Sequence, residues 1–300
     1  MNNIKQLSIK NIHKNVSKLP ILHKIFILLL IYVFYLTISK RYKESYTGMS
    51  NFTHKIDNDC YDEFYCKYYD FIFLDERKNK YEIEFISKLI IHNSSRILDI
   101  GSGTGNHVSL LTDKFIDTIG IDQSPSMVNI AKDKFPHCVF KNGNFLESSN
   151  NLEDDKYDVI TCFGKTIYSI QNKDLFIKKV NNMLNSDGFF IVHLVDRDKF
   201  KPIKLYNNES KILFNPEKYN VNSKIDKILI KFDNAEYKSN YNKYELTNTY
   251  NNVVPYSYYR DEFYDYSTHN VRRNDINLYM PTMNEIINIA KENGFIYHSK

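Results

Sequence analysis

One stretch limits the fold of this chain more than any other: Arg96-Ile97-Leu98-Asp99-Ile100-Gly101-Ser102-Gly103-Thr104-Gly105. A short apolar run carries a single acid and then meets three glycines at alternate positions. After them, His107 to Phe115 reads as a helix with Val108, Leu111 and Phe115 along one face. Strand, glycine turn and helix in that order open a parallel sheet whose strand tips hold a nucleotide. The glycines let backbone pass under a ligand with no Cβ between, and the free amides at the helix start favour a carboxylate or phosphate. A dinucleotide site wants G-x-G-x-x-G, but here Gly105 comes one position early and Asn106 fills the expected slot. An acid two residues ahead of the first glycine suits a ligand with a charged amino group better than a pyrophosphate.

The following segments extend the pattern. Thr118-Ile119-Gly120-Ile121-Asp122 reads as a second strand ending in an acid, placed roughly 20 residues beyond the turn, where a ribose diol wants a bidentate acceptor. Ser124-Pro125 supplies a helix N-cap and first helical position, with Met127 one turn in. Cys138 to Lys141 is a third strand, followed by Asn142-Gly143-Asn144-Phe145. Tyr157 to Phe163 is a fourth, followed by the loop Gly164-Lys165-Thr166-Ile167-Tyr168. Leu175, Phe176, Val180 and Leu184 mark a helix face. Asn185 to Gly188 is a turn, and Phe189 to Val195 a fifth strand containing His193.

Asp99-x-Gly101-x-Gly103-x-Gly105, Asp122-x-Ser124-Pro125-x-Met127 and the Tyr157-Asp158 strand together resemble motifs I, II and IV of the class I S-adenosylmethionine-dependent methyltransferases. The resemblance implies a doubly wound, mostly parallel α/β sheet and S-adenosylmethionine as cofactor. It also implies a transferase acting on a small-molecule or protein side-chain acceptor. By the same resemblance Asp99 takes the methionyl amino group, Gly101, Gly103 and Gly105 the backbone cradle, and Asp122 the ribose, with Gln123 a further cofactor-binding residue. Met127, Asn144 and Phe145 fall to the adenine, and Cys162 ends the fourth strand beside the cofactor. Asn144 stands where the family usually has an acid; its amide oxygen still accepts a hydrogen bond, without the charge. An N-terminal segment with Tyr-Asp pairs, here Cys60 to Phe71, is similar to the lid that covers the cofactor in small-molecule members. Tyr61, Tyr69 and His193 are candidates around the acceptor. Equally, the tyrosines read as ordinary aromatic packing, Lys165 as a solvated loop charge, and His193 as a packed strand residue. Two other functional classes stay open: a non-catalytic membrane-bound module of the same fold, and a nicotinamide oxidoreductase, which the glycine spacing disfavours.

Outside this core the chain divides as follows. Residues 1–39 hold a basic lead-in and an apolar run from Leu19 to Ile38, broken by His23 and Lys24. With Lys24 snorkelling it reaches the roughly 20 residues of a single-pass anchor; a buried core helix is the other reading. A catalytic domain on the cytosolic side is the expectation. Residues 40–58 read as a linker, and 59–200 as the cofactor-binding core, in which Tyr81, Phe85 and Leu89, with Ile86 and Ile90 beside them, make an amphipathic helix. Residues 201–280 carry period-two segments at 224–232, 241–250 and 257–266, an inserted antiparallel substrate-side sheet in which Arg260, Arg272 and Arg273 could receive an anionic or planar acceptor. Residues 281–300 give a last helix, opened by the capping box Thr282-x-x-Glu285, and a sixth strand at Phe295 to Tyr297. No seventh strand follows within these residues.

A net charge of +4 spread along the chain, with no Asn-Pro-Pro-Tyr signature after the fourth strand, gives no expectation of nucleic acid as partner. Cys60, Cys66, Cys138 and Cys162 have no metal-ligand spacing, so no metal is expected. Oligomeric state is left open.

Overall fold

In the computed structural model the chain divides into two units, Met1–Phe52 and Thr53–Lys300. The structure describes residues 52–90, 94–115, 117–147, 155–197, 227–243 and 256–298, with Pro20, His23, Leu29, Tyr32 and Leu152 as isolated positions. The apolar run at 19–38 therefore lies almost wholly outside the described residues. Among the described residues no helix is long and apolar enough to cross a membrane.

The elements in chain order are β1 (Phe52–Ile56), a 3-10 turn (Asp57–Cys60), α1 (Glu63–Phe73), α2 (Glu76–Leu89), β2 (Arg96–Ile100), α3 (Asn106–Thr112), β3 (Asp117–Asp122), α4 (Pro125–Lys134), β4 (Val139–Asn142), β5 (Tyr157–Cys162), α5 (Thr166–Ser169), α6 (Lys173–Met183), β6 (Leu184–Val192), β7 (Lys227–Lys231), β8 (Ala235–Lys243), β9 (Tyr256–Asp265), β10 (Val271–Tyr279) and α7 (Met283–Glu292). They build a five-stranded parallel sheet in the order β4-β3-β2-β5-β6 and a second five-stranded sheet in the order β1-β10-β9-β8-β7. In the second sheet the pairs β7/β8, β8/β9 and β9/β10 are antiparallel.

β2 is central and buried from Ile97 to Ile100, the continuous apolar pattern of a strand covered on both faces. The chain steps outward from β2 through β3 to β4, then returns to β5 on the other side of β2. This reversal opens a crevice at the strand tips, where open α/β sheets bind ligands. Ile83 and Ile86 of α2 pack with Ile97, Leu111, Phe115 and Val159. Val108, Val128, Ala131 and Phe140 form a second cluster. Phe176, Ile177, Val180 and Met183 of α6 belong to the largest cluster, which continues into Tyr237, Tyr259 and Phe263 of the second sheet.

Several expectations are corrected here. The linker at 40–58 ends in structure, because β1 lies beside β10 and Asp57 accepts hydrogen bonds from the Asn277 backbone (2.8 Å) and side-chain (3.1 Å) amides. The buried face of α2 is Asn79, Ile83 and Ile86, while Tyr81 is 70% exposed; its rings belong to the outward face because the neighbouring isoleucines fill the narrow space over β2. On α6, Leu175 points outward and Met183 takes the inner position. The antiparallel insertion is present, but its second strand lies at 235–243, and β10 at 271–279 was not foreseen because its polar residues hide the alternation. Phe295 to Tyr297 forms no strand. The Phe295 amide instead donates to the Ala290 carbonyl, and its ring lies 5.8 Å from that of Phe190.

Arg260, Arg272 and Arg273 are each committed to carboxylates inside the protein. Arg260 pairs with Asp275 through two contacts of 2.6 and 2.9 Å, and Arg273 with Glu262 at 2.8 and 2.9 Å. Arg272 is buried, bonding Asp62, the Cys60 carbonyl and Asn274. Arg260 and Arg273 are neutralised by partners within the sheet, and Arg272 by Asp62 at the start of α1.

Candidate functional site

The glycine turn has the geometry its sequence requires. Gly101, Gly103 and Gly105 lie at φ of 71°, 54° and 82°, in the left-handed region where a Cβ is strained. The three differ in what surrounds them. A Cβ on Gly101 would come within 2.4 Å of Thr166 Oγ1, and one on Gly105 within 2.6 Å of the Phe140 ring. Those two glycines permit packing. At Gly103 nothing lies within 4 Å of that position, so the apex of the turn is bare backbone facing open space.

Two acids flank this apex. Asp99 is 2% exposed and accepts a 2.6 Å hydrogen bond from Thr161 Oγ1 on the adjacent strand β5. Burial pushes its carboxyl up to about 6, against the opposing pull of His107 and the Thr161 hydroxyl. Asp122, at the tip of β3, accepts from the Gly103 amide (2.9 Å, Oδ2) and the Ser124 amide (2.8 Å, Oδ1), which ties the first loop to the second. Burial raises Asp122 as well, and those two amides offset part of the rise. The charge of Asp122 also raises Asp99, so the two acids share one electrostatic neighbourhood.

The α1 segment docks on the same loops. Asp70 accepts from Thr104 Oγ1 (2.5 Å) and Asn106 Nδ2 (3.1 Å) in the glycine turn, and its other oxygen pairs with Lys134 at 2.5 Å. Ser124 caps α4 by accepting from the Met127 amide at 3.1 Å and donates its own hydroxyl to the Tyr61 carbonyl at 2.5 Å. Gln123 donates to Asn58 at 2.5 Å. The expected covering segment therefore meets both loops.

Beyond β5, Lys165 stands on the side that faces the second sheet. Its Nζ lies 2.7 Å from the Tyr259 hydroxyl, 4.1 Å from the Tyr259 ring centre and 3.9 Å from that of Phe73. Burial pushes the amine down to about 7, partly opposed by the charge of Asp261. Asp261 is fully buried and accepts 2.6 Å hydrogen bonds from both Tyr65 and Tyr237 hydroxyls. Tyr61 and Tyr69 border this group, their ring centres 6.3 Å apart, and burial raises both phenols. Asp261, Tyr65, Tyr237 and Tyr259 were not singled out in the sequence. Only the tyrosine density of 257–266 hinted at them, and the 24 tyrosines of the chain blur that hint.

The remaining candidates fall elsewhere. His193 lies just past β6 with both ring nitrogens engaged: Nδ1 accepts from the Gly164 amide at 2.9 Å, and Nε2 meets Glu82 at 2.7 Å. Glu82 also meets His107 at 2.9 Å, and the Phe163 ring lies between the two imidazoles at 4.5 and 4.6 Å. Burial acts to raise Glu82, yet the two histidines overcome it and hold the carboxyl well below its usual range; burial lowers His193. These contacts fasten His193 between Glu82 of α2 and the Gly164 amide after β5. Met127 is buried beneath the second loop. Asn144 accepts from the Leu146 amide (3.0 Å) and donates to Glu147 (3.2 Å), a local turn. Phe145 is buried with its ring 5.4 Å from Phe176, and Cys162 is fully buried, its thiol raised by that burial.

Comparison with known proteins agrees with this architecture. The family model described as "Methyltransferase domain" matches residues 91–244. A protein of Invertebrate iridescent virus 6 named as methyltransferase 235L is 32% identical over 125 residues, covering 41% of this chain and 43% of that protein. The phosphoethanolamine N-methyltransferase of Plasmodium falciparum is 24% identical over 148 residues, 46% of this chain and 54% of that protein. The chain thus spans about half the length of the curated relatives it matches. Among solved structures, an S-adenosylmethionine-dependent methyltransferase from Clostridium acetobutylicum superimposes with a TM-score of 0.53 at 20% identity, covering 78% of this chain and 87% of that one. At that identity the likeness is one of fold.

Proposed function

The chain belongs to the class I S-adenosylmethionine-dependent methyltransferase family, and from that premise we propose that it moves a methyl group from S-adenosylmethionine to a small-molecule or protein side-chain acceptor. The observation that carries this reading is the Gly103 apex, whose Cβ position has no atom within 4 Å and which is flanked by two acids, the charge of Asp122 raising Asp99. The chemistry of these donors suits the cofactor. Asp99 offers a buried negative charge to an ammonium group, the glycine turn offers backbone with no Cβ in the way, and Asp122 keeps lone pairs for a diol beyond the two amides it already holds. Met127, beneath the second loop, is placed to pack an adenine face.

Bound there, S-adenosylmethionine supplies a methyl group on a sulfonium that is already electrophilic. The residues of the chain then need to align, desolvate and exclude water, and proximity alone supplies much of the acceleration. Thr166 packs on Gly101, so the residues after β5 border the cradle. Asp70 of α1 and the Tyr61 carbonyl just before it hold this segment to both cofactor loops. The nicotinamide reading falls with the family assignment. Tethering through the apolar run at 19–38 is part of the proposal and rests on the sequence alone.

Isothermal calorimetry with S-adenosylhomocysteine on the full chain tests the cofactor site. Binding should weaken about 10–100-fold in Asp122→Ala, from the loss of charge-assisted hydrogen bonds, and no binding to the wild type would refute the reading. For the tether, the full chain should float with liposomes while residues 40–300 remain in the dense fraction.

A further inference from the structure

The group beyond β5 is more than a wall. Lys165 follows β5 by three positions, and its neighbour Thr166 packs against Gly101, the first residue of the cradle. Lys165 therefore sits where an acceptor would approach the methyl group. Its surroundings come from four elements: Tyr61 from the turn before α1, Tyr65, Tyr69 and Phe73 from α1, Tyr237 from β8, and Tyr259 and Asp261 from β9. Burial raises the Asp261 carboxyl, and the two phenols that donate to it, with the charge of Lys165, offset part of that rise. The rings present negative faces, and Lys165 Nζ itself lies over those of Phe73 and Tyr259. Such a lining attracts a cation.

Resting on the methyltransferase reading, we propose that the acceptor is a small molecule bearing a protonated amine, seated against Lys165 and the Tyr61 and Tyr69 rings, and that Lys165 is the base that deprotonates it. One hydrogen of the Lys165 amine points to the Tyr259 oxygen, which leaves its lone pair to take a proton from the acceptor ammonium. The freed nitrogen lone pair forms the bond to the methyl carbon while the carbon–sulfur electron pair stays on sulfur, giving a thioether. The proton now on Lys165 passes to solvent with product release. Burial of Lys165, which holds its amine near 7, makes it a neutral proton acceptor at neutral pH and not a fixed cation. Asp261 is a positioning residue: it never meets the acceptor, and its charge acts on the Lys165 amine.

The test uses the full chain. Calorimetry with S-adenosylhomocysteine comes first. Wild type, Lys165→Met and Asp261→Asn should bind it within about twofold of one another, and loss of binding in all three counts against the cofactor reading instead. Competitive acetylation with limiting acetic anhydride, read by peptide mass spectrometry, then follows Lys165. Its reactivity should rise through about pH 7, as against about pH 10 for an unburied lysine, and Asp261→Asn should move the midpoint lower. Transfer from methyl-tritiated S-adenosylmethionine to ethanolamine, used as a simple ammonium probe, should rise through the same midpoint. Lys165→Met should slow it by about 100-fold or more and remove that limb. Three outcomes overturn the proposal while cofactor binding is intact: a Lys165 midpoint near 10, wild-type turnover in Lys165→Met, or no transfer to ethanolamine.

Discussion

Asp99 shows how a single buried acid couples folding to ligand. Its folded carboxyl titrates near 6 and an unfolded aspartate near 3.9, so the folded chain binds the extra proton between those values. The sign follows: as pH rises from about 4 to 6, the stability of the free protein falls, and above 6 the penalty is constant. An incoming ammonium needs the ionised form. Affinity for S-adenosylhomocysteine should therefore drop about tenfold per pH unit below about 6, and Asp99→Asn should bind weakly with a flat profile; calorimetry at about pH 5 and 7 checks both. The glycines make a second contrast at this scale. Gly101→Ala should fail in folding, since its Cβ meets Thr166 as well as a left-handed backbone. Gly103→Ala meets no neighbour, costs about 1–2 kcal/mol of backbone strain, and should lose S-adenosylhomocysteine binding while a thermal melt shifts by only a few degrees.

The helices matter here for what they carry. α1 would be a marginal helix alone, and its position is fixed by Asp70 on the glycine turn, Tyr65 on Asp261 and the Asp62 cap that also meets Arg272. Asp70→Ala should free it from the cofactor loops. Amide exchange across α1 should quicken, and S-adenosylhomocysteine affinity should fall about 3–10-fold, the worth of one or two hydrogen bonds. α7 provides a control away from the site. Its capping box is complete, with Thr282 and Glu285 each bonding the other's backbone amide. Thr282→Ala should cost about 1 kcal/mol in urea unfolding with no change in ligand affinity.

At the scale of the whole unit, Arg272 helps join the second sheet to the segment that opens α1. Arg272→Met would leave the Cys60 carbonyl and Asn274 without their partner. The loss should be about 2–3 kcal/mol in urea unfolding, reduced somewhat because Asp62 is partly solvated. Sequence determined by itself the parts that are local: the β2 strand and its glycine turn, the Asp122 strand end, the Ser124-Pro125 cap and the Thr282 box, because each is a contiguous run whose backbone needs dictate its residues. It named the two acids for the same reason. The tertiary structure alone decided which face of α2 is buried, that residues 52–56 complete a sheet with β10 some 220 positions away, and that the arginines of 260–273 are consumed by Asp62, Glu262 and Asp275. It also engaged both nitrogens of His193, and put Lys165 of the loop after β5 near Asp261 of β9, 96 positions away. Those outcomes depend on desolvation and charge pairing between distant segments, and no spacing along the chain encodes them.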